Sequence, residues 1–209
     1  MVPPWTIPEG MNTREYFQQV QNEAYAQGPA ENVRLLRERL AGYLAALEGV
    51  TDADLDKPAW FYGLPANLRM PITAFVNDVI IYATDIRRPV GIEPLFSPEG
   101  SRFVGWAGLG YLPMFVTAER LDGATGTVRQ TIDSAVSMVE LGDVGLRLAS
   151  SPHAADSPAV DAEITTDGGT WTLLTWRSYP IAEAEAAGAL RIDGDRALVE
   201  RYLAAIKAP

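Results

Sequence analysis

The sequence predicts an α+β protein: a shortened helical bundle over about residues 1–120, followed by a small α/β domain over about 121–209. Three observations carry this. Apolar residues recur at three- and four-residue spacing between Val33 and Leu47, the period of a helix face. From about residue 124 the pattern changes to short alternating runs rich in β-branched residues, the period of strands. The closing segment, DRALVERYLAAI from Asp195, returns to a helical period.

Taken in order, Asn12 followed by Glu15 has N-cap and capping-box spacing ahead of a first helix, TREYFQQVQNEAYA. Gly28-Pro29 stops that helix and starts the next. The second helix carries Val33, Leu36, Leu40, Tyr43 and Leu47 on one stripe, with Leu44 beside them, and Arg34, Arg37, Glu38 and Arg39 elsewhere. Gly49 ends it. Such a stripe calls for partner helices to bury it. TDADLDKP, from Thr51, reads as an acidic loop with room for a short helical turn. WFYGLP, from Trp60, is aromatic and then broken by Gly63 and Pro65. A third helix is expected from about Ile72 to Asp85, stopping before Pro89. PVGIEPLFSPEG reads as turns. A fourth helix is expected over Phe103–Arg120, against the opposing vote of Gly105, Gly108, Gly110 and Pro113. GTVRQTID, AVSMVELG, VGLRLAS and VDAEITTD read as strands. TWTLLTWRSYPIAEAEAA reads as helical, ALRIDGD as a strand and turn, and the final segment as an amphipathic helix. The change of character falls near residues 118–124.

Composition narrows the function classes. The 209 residues include 17 basic and 27 acidic side chains, a net charge of −10. Residues 1–100 and 101–209 carry −5 each, so no basic region exists to attract a phosphate backbone, and nucleic-acid binding is not expected. There is no cysteine and one histidine, His153, within the turn-forming stretch SSPHAADSP. Disulfides, thiolate nucleophiles and cysteine-ligated metals are excluded, and no metal site is expected. Phosphate-loop, dinucleotide-loop and nucleophile-elbow spacings are absent. Glycines 105, 108 and 110 fit helix packing or local flexibility instead. MVPPWTIPEGMN has neither the basic nor the apolar region of a signal peptide. The longest apolar stretch, Phe103–Val116, is too short to span a bilayer. The expectation is a cytoplasmic protein without a membrane partner.

The densest polar cluster is NDVIIYATDIRRP, from Asn77. On a helix, Asp78, Tyr82 and Asp85 stand at i, i+4 and i+7 and share one face within roughly 60°. Two carboxylates beside a phenol suit acid–base catalysis. The alternative is structural: Asp85 pairs with Arg88 or caps a helix, and Tyr82 packs. Arg87 and Arg88 either bind an anionic ligand or offset the helix dipole. Trp60, Phe61 and Tyr62 either line a pocket or belong to core.

DIRRPVGI, from Asp85, resembles the His-x-x-Asp-Ile-Arg-Arg-Pro-Leu-Gly signature of the mycothiol-dependent maleylpyruvate isomerase family, whose N-terminal domain is a DinB-like four-helix bundle. The resemblance covers about residues 12–95. From Val160 onward, and most tellingly at GALRIDGD, the chain resembles the end of a sterol-carrier-protein-2-like domain, an α/β module around an apolar cavity. The family's enzymes hold a divalent metal with histidines. Here Tyr82 stands at one of those positions, and the N-terminal helix expected to carry another is missing. The resemblance therefore implies the fold and opposes the metal-assisted thiol chemistry.

Three functional expectations follow. The first is a metal-free protein, without cofactor, that binds a small apolar or thiol-containing ligand, with Arg87, Arg88, Trp60 and Tyr62 as binding residues. The second is a small-molecule isomerase or transferase, metal-independent or using mycothiol, with Asp78, Tyr82 and Asp85 as its catalytic residues. The third, compatible with both, is a homodimer in which a second chain completes the helical bundle.

Overall fold

The computed structural model describes residues 13–61, 64–92, 95–149, 159–177 and 179–206. The chain divides into two compact units, Met1–Ala59 and Trp60–Pro209.

The first unit is a helical hairpin, α1 (Thr13–Gln27) and α2 (Pro29–Leu47), followed by a 3-10 turn at Asp52–Asp54. Gly28 takes the hairpin bend at φ +79, and Pro29 occupies the first turn of α2, as its missing N–H allows. Asn32 Nδ2 donates to Ala24 O at 2.7 Å and ties the two helices at the bend. On the outer face Arg34 pairs with both Glu31 and Glu38. The stripe from Val33 to Leu47 is not buried as expected: no described residue of α2 is buried, and Leu36 is 63% exposed. The reason lies in α1, whose middle is Gln18, Gln19, Gln21, Asn22 and Glu23 and offers little apolar surface. The expected Asn12 cap lies outside the described residues.

The aromatic segment from Trp60 begins in a strand, β1 (Pro58–Phe61), which pairs with β2 (Leu64–Asn67). The second unit continues with α3 (Arg69–Arg87), which runs into a 3-10 turn at Arg88–Val90, then α4 (Pro98–Phe115) and α5 (Ala118–Leu121). Helix α3 starts three residues before the expected Ile72, because Pro71 is tolerated in a first turn. Helix α4 is displaced upstream from the expected span. Ser97 caps it by accepting from Gly100 N, Pro98 follows in the first turn, and the helix runs past Pro113 to end where Val116 leaves the helical backbone region at ψ 88.

A five-stranded sheet follows, in the order β5-β4-β3-β6-β7. Strands β3 (Gly126–Ile132), β4 (Ala135–Gly142) and β5 (Gly145–Ala149) form an antiparallel meander. Strand β6 (Ala162–Thr166) lies parallel to β3, with Val128 opposite Ala162 and Gln130 opposite Ile164, and β7 (Leu190–Gly194) closes the edge antiparallel to β6. The α+β class is as predicted. The segment read as one helix after β6 is two, α6 (Gly168–Trp176) and α7 (Ile181–Ala186), separated where Pro180 cannot donate to a continuing helix. Helix α8 (Arg196–Ile206) ends the described chain.

One face of the sheet packs against helices. Val128 and Ile132 of β3, Ile164 of β6, Leu112 and Val116 of α4, Trp171 of α6, and Val199, Tyr202 and Leu203 of α8 form one buried cluster. Within it, Tyr202 donates its hydroxyl to Gln130 Oε1 at 3.0 Å, and burial pushes the phenol's pKa far up. Helices α4 and α6 touch backbone to backbone. A Cβ on Gly105 would stand 2.7 Å from Gly168 Cα, and one on Gly168 would stand 2.1 Å from Ser101 O. Packing therefore accounts for Gly105. Asp167 caps α6 by accepting from Thr170 N, and Gly169 N donates to Ser101 Oγ at 2.7 Å. These contacts fix α4, and α3 packed on it, against the sheet.

Candidate functional site

Helix α3 presents three kinds of surface. Ala74, Asn77, Ile81 and Thr84 are buried on one side. The polar face of Asp78, Tyr82 and Asp85 forms a flank, as the spacing predicts. On another flank Val79, Ile80, Ala83 and Arg87 form one wall of a groove.

The polar flank is organised by a residue the sequence reading passed over. Arg177, directly after α6, donates from Nε to Asp85 Oδ1 at 2.7 Å and from Nη1 to the carbonyl of Trp176 at 2.9 Å. Its guanidinium carbon lies 5.1 Å from the centroid of the Tyr82 ring, a cation–π distance. Asp85 thus pairs with Arg177 and not with Arg88. Burial raises the Asp78 pKa, while the Arg177 charge opposes the rise. Burial also raises the Tyr82 pKa, aided by the nearby charge of Asp78. Tyr82 is 58% exposed, and none of the three residues lines the groove. The flank carries one committed ion pair, an exposed phenol and one half-buried carboxylate.

The groove has a volume of about 410 Å³. Facing its α3 wall are Leu95, Phe96 and Ser97 of the connecting loop, and Glu99, Gly100 and Phe103 of α4. The walls are aliphatic and aromatic for most of their length. Arg87 is their cation. Its Nη1 donates to the carbonyl of Leu95 at 3.1 Å, and no carboxylate pairs with it among the described residues. The lining also holds the carboxylate of Glu99, whose ion pair is with Arg102 at 3.7 Å, so Arg87 keeps no paired counter-charge and an arriving anion would supply one. At this size the groove falls within the range of roughly 300–1,000 Å³ typical of small-molecule sites, which are mostly apolar with a few placed polar groups.

The other predicted site residues fall elsewhere. Arg88 lies over the ring of Tyr179, 5.8 Å from its centroid. Trp60 lies in β1, and Tyr62 and His153 lie outside the described residues. Among the described residues no group of three or more histidine, cysteine or acidic side chains is arranged to hold a metal ion. No described helix is long and apolar enough to cross a membrane.

The sequence signals for the missed residues are faint. Arg177 is the sole charged residue between Asp167 and Glu183, an isolated cation at the end of an apolar helix. Leu95, Phe96 and Phe103 bracket the Ser97-Pro98 helix start, and recognising that cap would have set the two aromatic residues about two turns apart across it.

No family model and no curated protein matches the sequence. Comparison with solved structures finds slight likenesses. A ubiquinone synthesis protein, UbiJ-SCP2, is 14% identical, with 49% of this chain covering 92% of that one at a TM-score of 0.39. The sterol carrier protein domain 2 of Helicoverpa armigera is 12% identical, with 44% of this chain covering 79% of that one at a TM-score of 0.34. The inverting sec-alkylsulfatase Pisa1 of Pseudomonas sp. is 12% identical over 80% of this chain, but this spans only 31% of the sulfatase, at a TM-score of 0.41. None of these is close enough to carry a function across.

Proposed function

We propose that the Trp60–Pro209 unit binds a small apolar ligand with an anionic head, in the groove between α3 and α4. The observation that carries this reading is Arg87: an unpaired guanidinium set among Val79, Ile80, Ala83, Leu95, Phe96 and Phe103. A medium-chain carboxylate matches both features. Its chain displaces water from the apolar walls at roughly 0.8 kcal/mol per methylene, and its head takes a charge-assisted hydrogen bond from Arg87. No metal takes part. The sterol-carrier-like reading of the C-terminal sequence points to the same ligand class, although the groove itself is built by helices and not by the sheet. Calorimetric titration with octanoate, decanoate and dodecanoate tests the proposal. Affinity should rise about fourfold per added methylene until the groove is filled. Absence of saturable binding to all three refutes it.

The raised pKa of Asp78 beside Tyr82 supports a second reading, a small-molecule isomerase or transferase related to the maleylpyruvate isomerases. In it Asp78 accepts a proton and Tyr82 returns one, Arg177 and Asp85 position the phenol, and mycothiol is the candidate thiol cofactor. Loss of turnover in Asp78→Asn, with the ligand titration unchanged, distinguishes this reading from the first.

A further inference from the structure

The end of α3 presents an unusual surface. Ile86 is 71% exposed, Val90 65% and Ile92 47%. A scattered apolar residue on a surface is ordinary, but three within seven positions, interleaved with cations, are not. The tip that carries them is closed by backbone hydrogen bonds. Pro89 locks the 3-10 turn, Gly91 takes a left-handed conformation at φ +68, and Gly91 N donates to Arg88 O at 3.1 Å. Ile92 N donates to Arg87 O at 3.0 Å. Between the aliphatics in sequence stand two guanidiniums that no carboxylate neutralises among the described residues. Arg87 bonds a carbonyl, and Arg88 lies on the Tyr179 ring. Asp85, the neighbouring acid, is already taken by Arg177.

We propose that this tip, Ile86–Ile92, is a docking point for a phospholipid surface. Ile86, Val90 and Ile92 enter the boundary between headgroups and acyl chains, and Arg88 pairs with a lipid phosphate at the level above them. Exposed aliphatics interleaved with guanidiniums suit the boundary of a bilayer, where apolar chains lie next to phosphates, and the planar guanidinium suits bidentate contact with phosphate. A second copy of the chain suits the tip poorly, because a symmetric contact sets Arg87 and Arg88 against their own duplicates. The net charge of −10 acts weakly on this contact, since charges farther away than a Debye length of about 8 Å are screened at physiological salt. Docking would bring the mouth of the groove, which shares Arg87 with the tip, to a source of apolar ligands. The docking itself does not depend on the groove being a ligand site, and its test uses no ligand.

The test is co-sedimentation of the full chain with vesicles of phosphatidylcholine containing one part in five phosphatidylglycerol. Wild-type protein should partition onto them measurably. Ile86→Ser/Val90→Ser should weaken partition about a hundredfold, from roughly tenfold per aliphatic withdrawn. Arg88→Gln should weaken it roughly fivefold and flatten its dependence on salt. Val144→Ser, at an exposed residue on the β4–β5 turn, should leave it unchanged. Circular dichroism of each variant checks folding, which substitution at such exposed positions should preserve. Failure of the wild type to sediment, or equal partition of the double variant, overturns the proposal. So does a dimer by light scattering that Ile86→Ser disperses, since the tip would then serve a protein contact.

Discussion

Replacing Arg87 with methionine separates the ligand role of this residue from any structural one. Methionine keeps much of the aliphatic stem and removes the charge. In the unliganded protein the substitution loses one hydrogen bond, from Nη1 to the carbonyl of Leu95 at 3.1 Å. A hydrogen bond from a charged donor contributes roughly 1.5–3 kcal/mol. Against that, it removes an unpaired cation from a wall of Val79, Ile80, Ala83 and Phe103, a relief of comparable size. The two effects offset, and stability should change by no more than about 1 kcal/mol. In the complex there is no such offset. The ligand head loses its charged partner, worth about 1.5–3 kcal/mol, so the dissociation constant for decanoate should rise roughly 10- to 150-fold. The gain per methylene should survive, because the apolar walls are intact. Urea unfolding and calorimetric titration with the three carboxylates measure both sides. Unchanged decanoate affinity in the variant would refute the assignment of Arg87 to the ligand head. A loss of stability larger than the loss of affinity would make Arg87 a structural residue.

Other predictions follow from single contacts. Asp78→Asn should stabilise the protein at neutral pH. The folded-state pKa of Asp78 is raised above its unfolded value, so the folded state holds the proton more tightly and stability falls as pH rises through that window. The advantage of the asparagine variant should therefore vanish below the ordinary carboxylate range, which paired urea titrations at neutral and acidic pH would show. A variant less stable than wild type at neutral pH contradicts the burial of that carboxylate. Gly168→Ala should cost about 3 kcal/mol or more, because its Cβ would meet the backbone oxygen of Ser101 at 2.1 Å and neither helix can yield alone. A urea midpoint within error of wild type would mean that α4 and α6 do not cross there. Tyr202→Phe should cost about 1–3 kcal/mol, since it leaves the fully buried Gln130 without its hydroxyl partner. Thermal unfolding would register this, and an unchanged transition would mean that water replaces the hydroxyl.

Much of the fold was legible because its patterning is local. In β3 the inward residues Val128, Gln130 and Ile132 alternate with partly covered ones, and a period of two survives the polar exception. Helix α8 was readable for the same reason, with its buried residues on a clear helical face. Helix α6 resisted because Gly168 to Thr172 are all buried, and a segment covered on every side leaves no polar face to mark its period. The start of α4 was hidden by turn-forming residues that serve equally as a helix cap, Ser97 and Pro98. The α2 stripe shows the opposite fault: its period was unmistakable, yet periodicity names no partner, and within the described hairpin Leu40, Tyr43 and Leu47 are only half-buried while Val33 and Leu36 stay exposed.

The candidate site divides along the same line. Asp78, Tyr82 and Asp85 share a flank because i, i+4 and i+7 on one helix is a property of the sequence alone. Arg177, which holds Asp85 from 92 positions away, depends on the crossing of α4 and α6 and could not be paired with it from spacing. The groove has the same origin. Arg87 was singled out as an anion ligand, but its apolar surroundings come from a loop and a second helix brought opposite it by the turn at Gly91.

Chemical-shift mapping of the isotopically labelled protein titrated with decanoate tests the central claim most directly. The account predicts saturable shifts concentrated at Val79–Arg87 and Leu95–Phe103, with the sheet core around Gln130, Trp171 and Tyr202 unmoved. Shifts centred on that core, or no saturable shift at all, would contradict it.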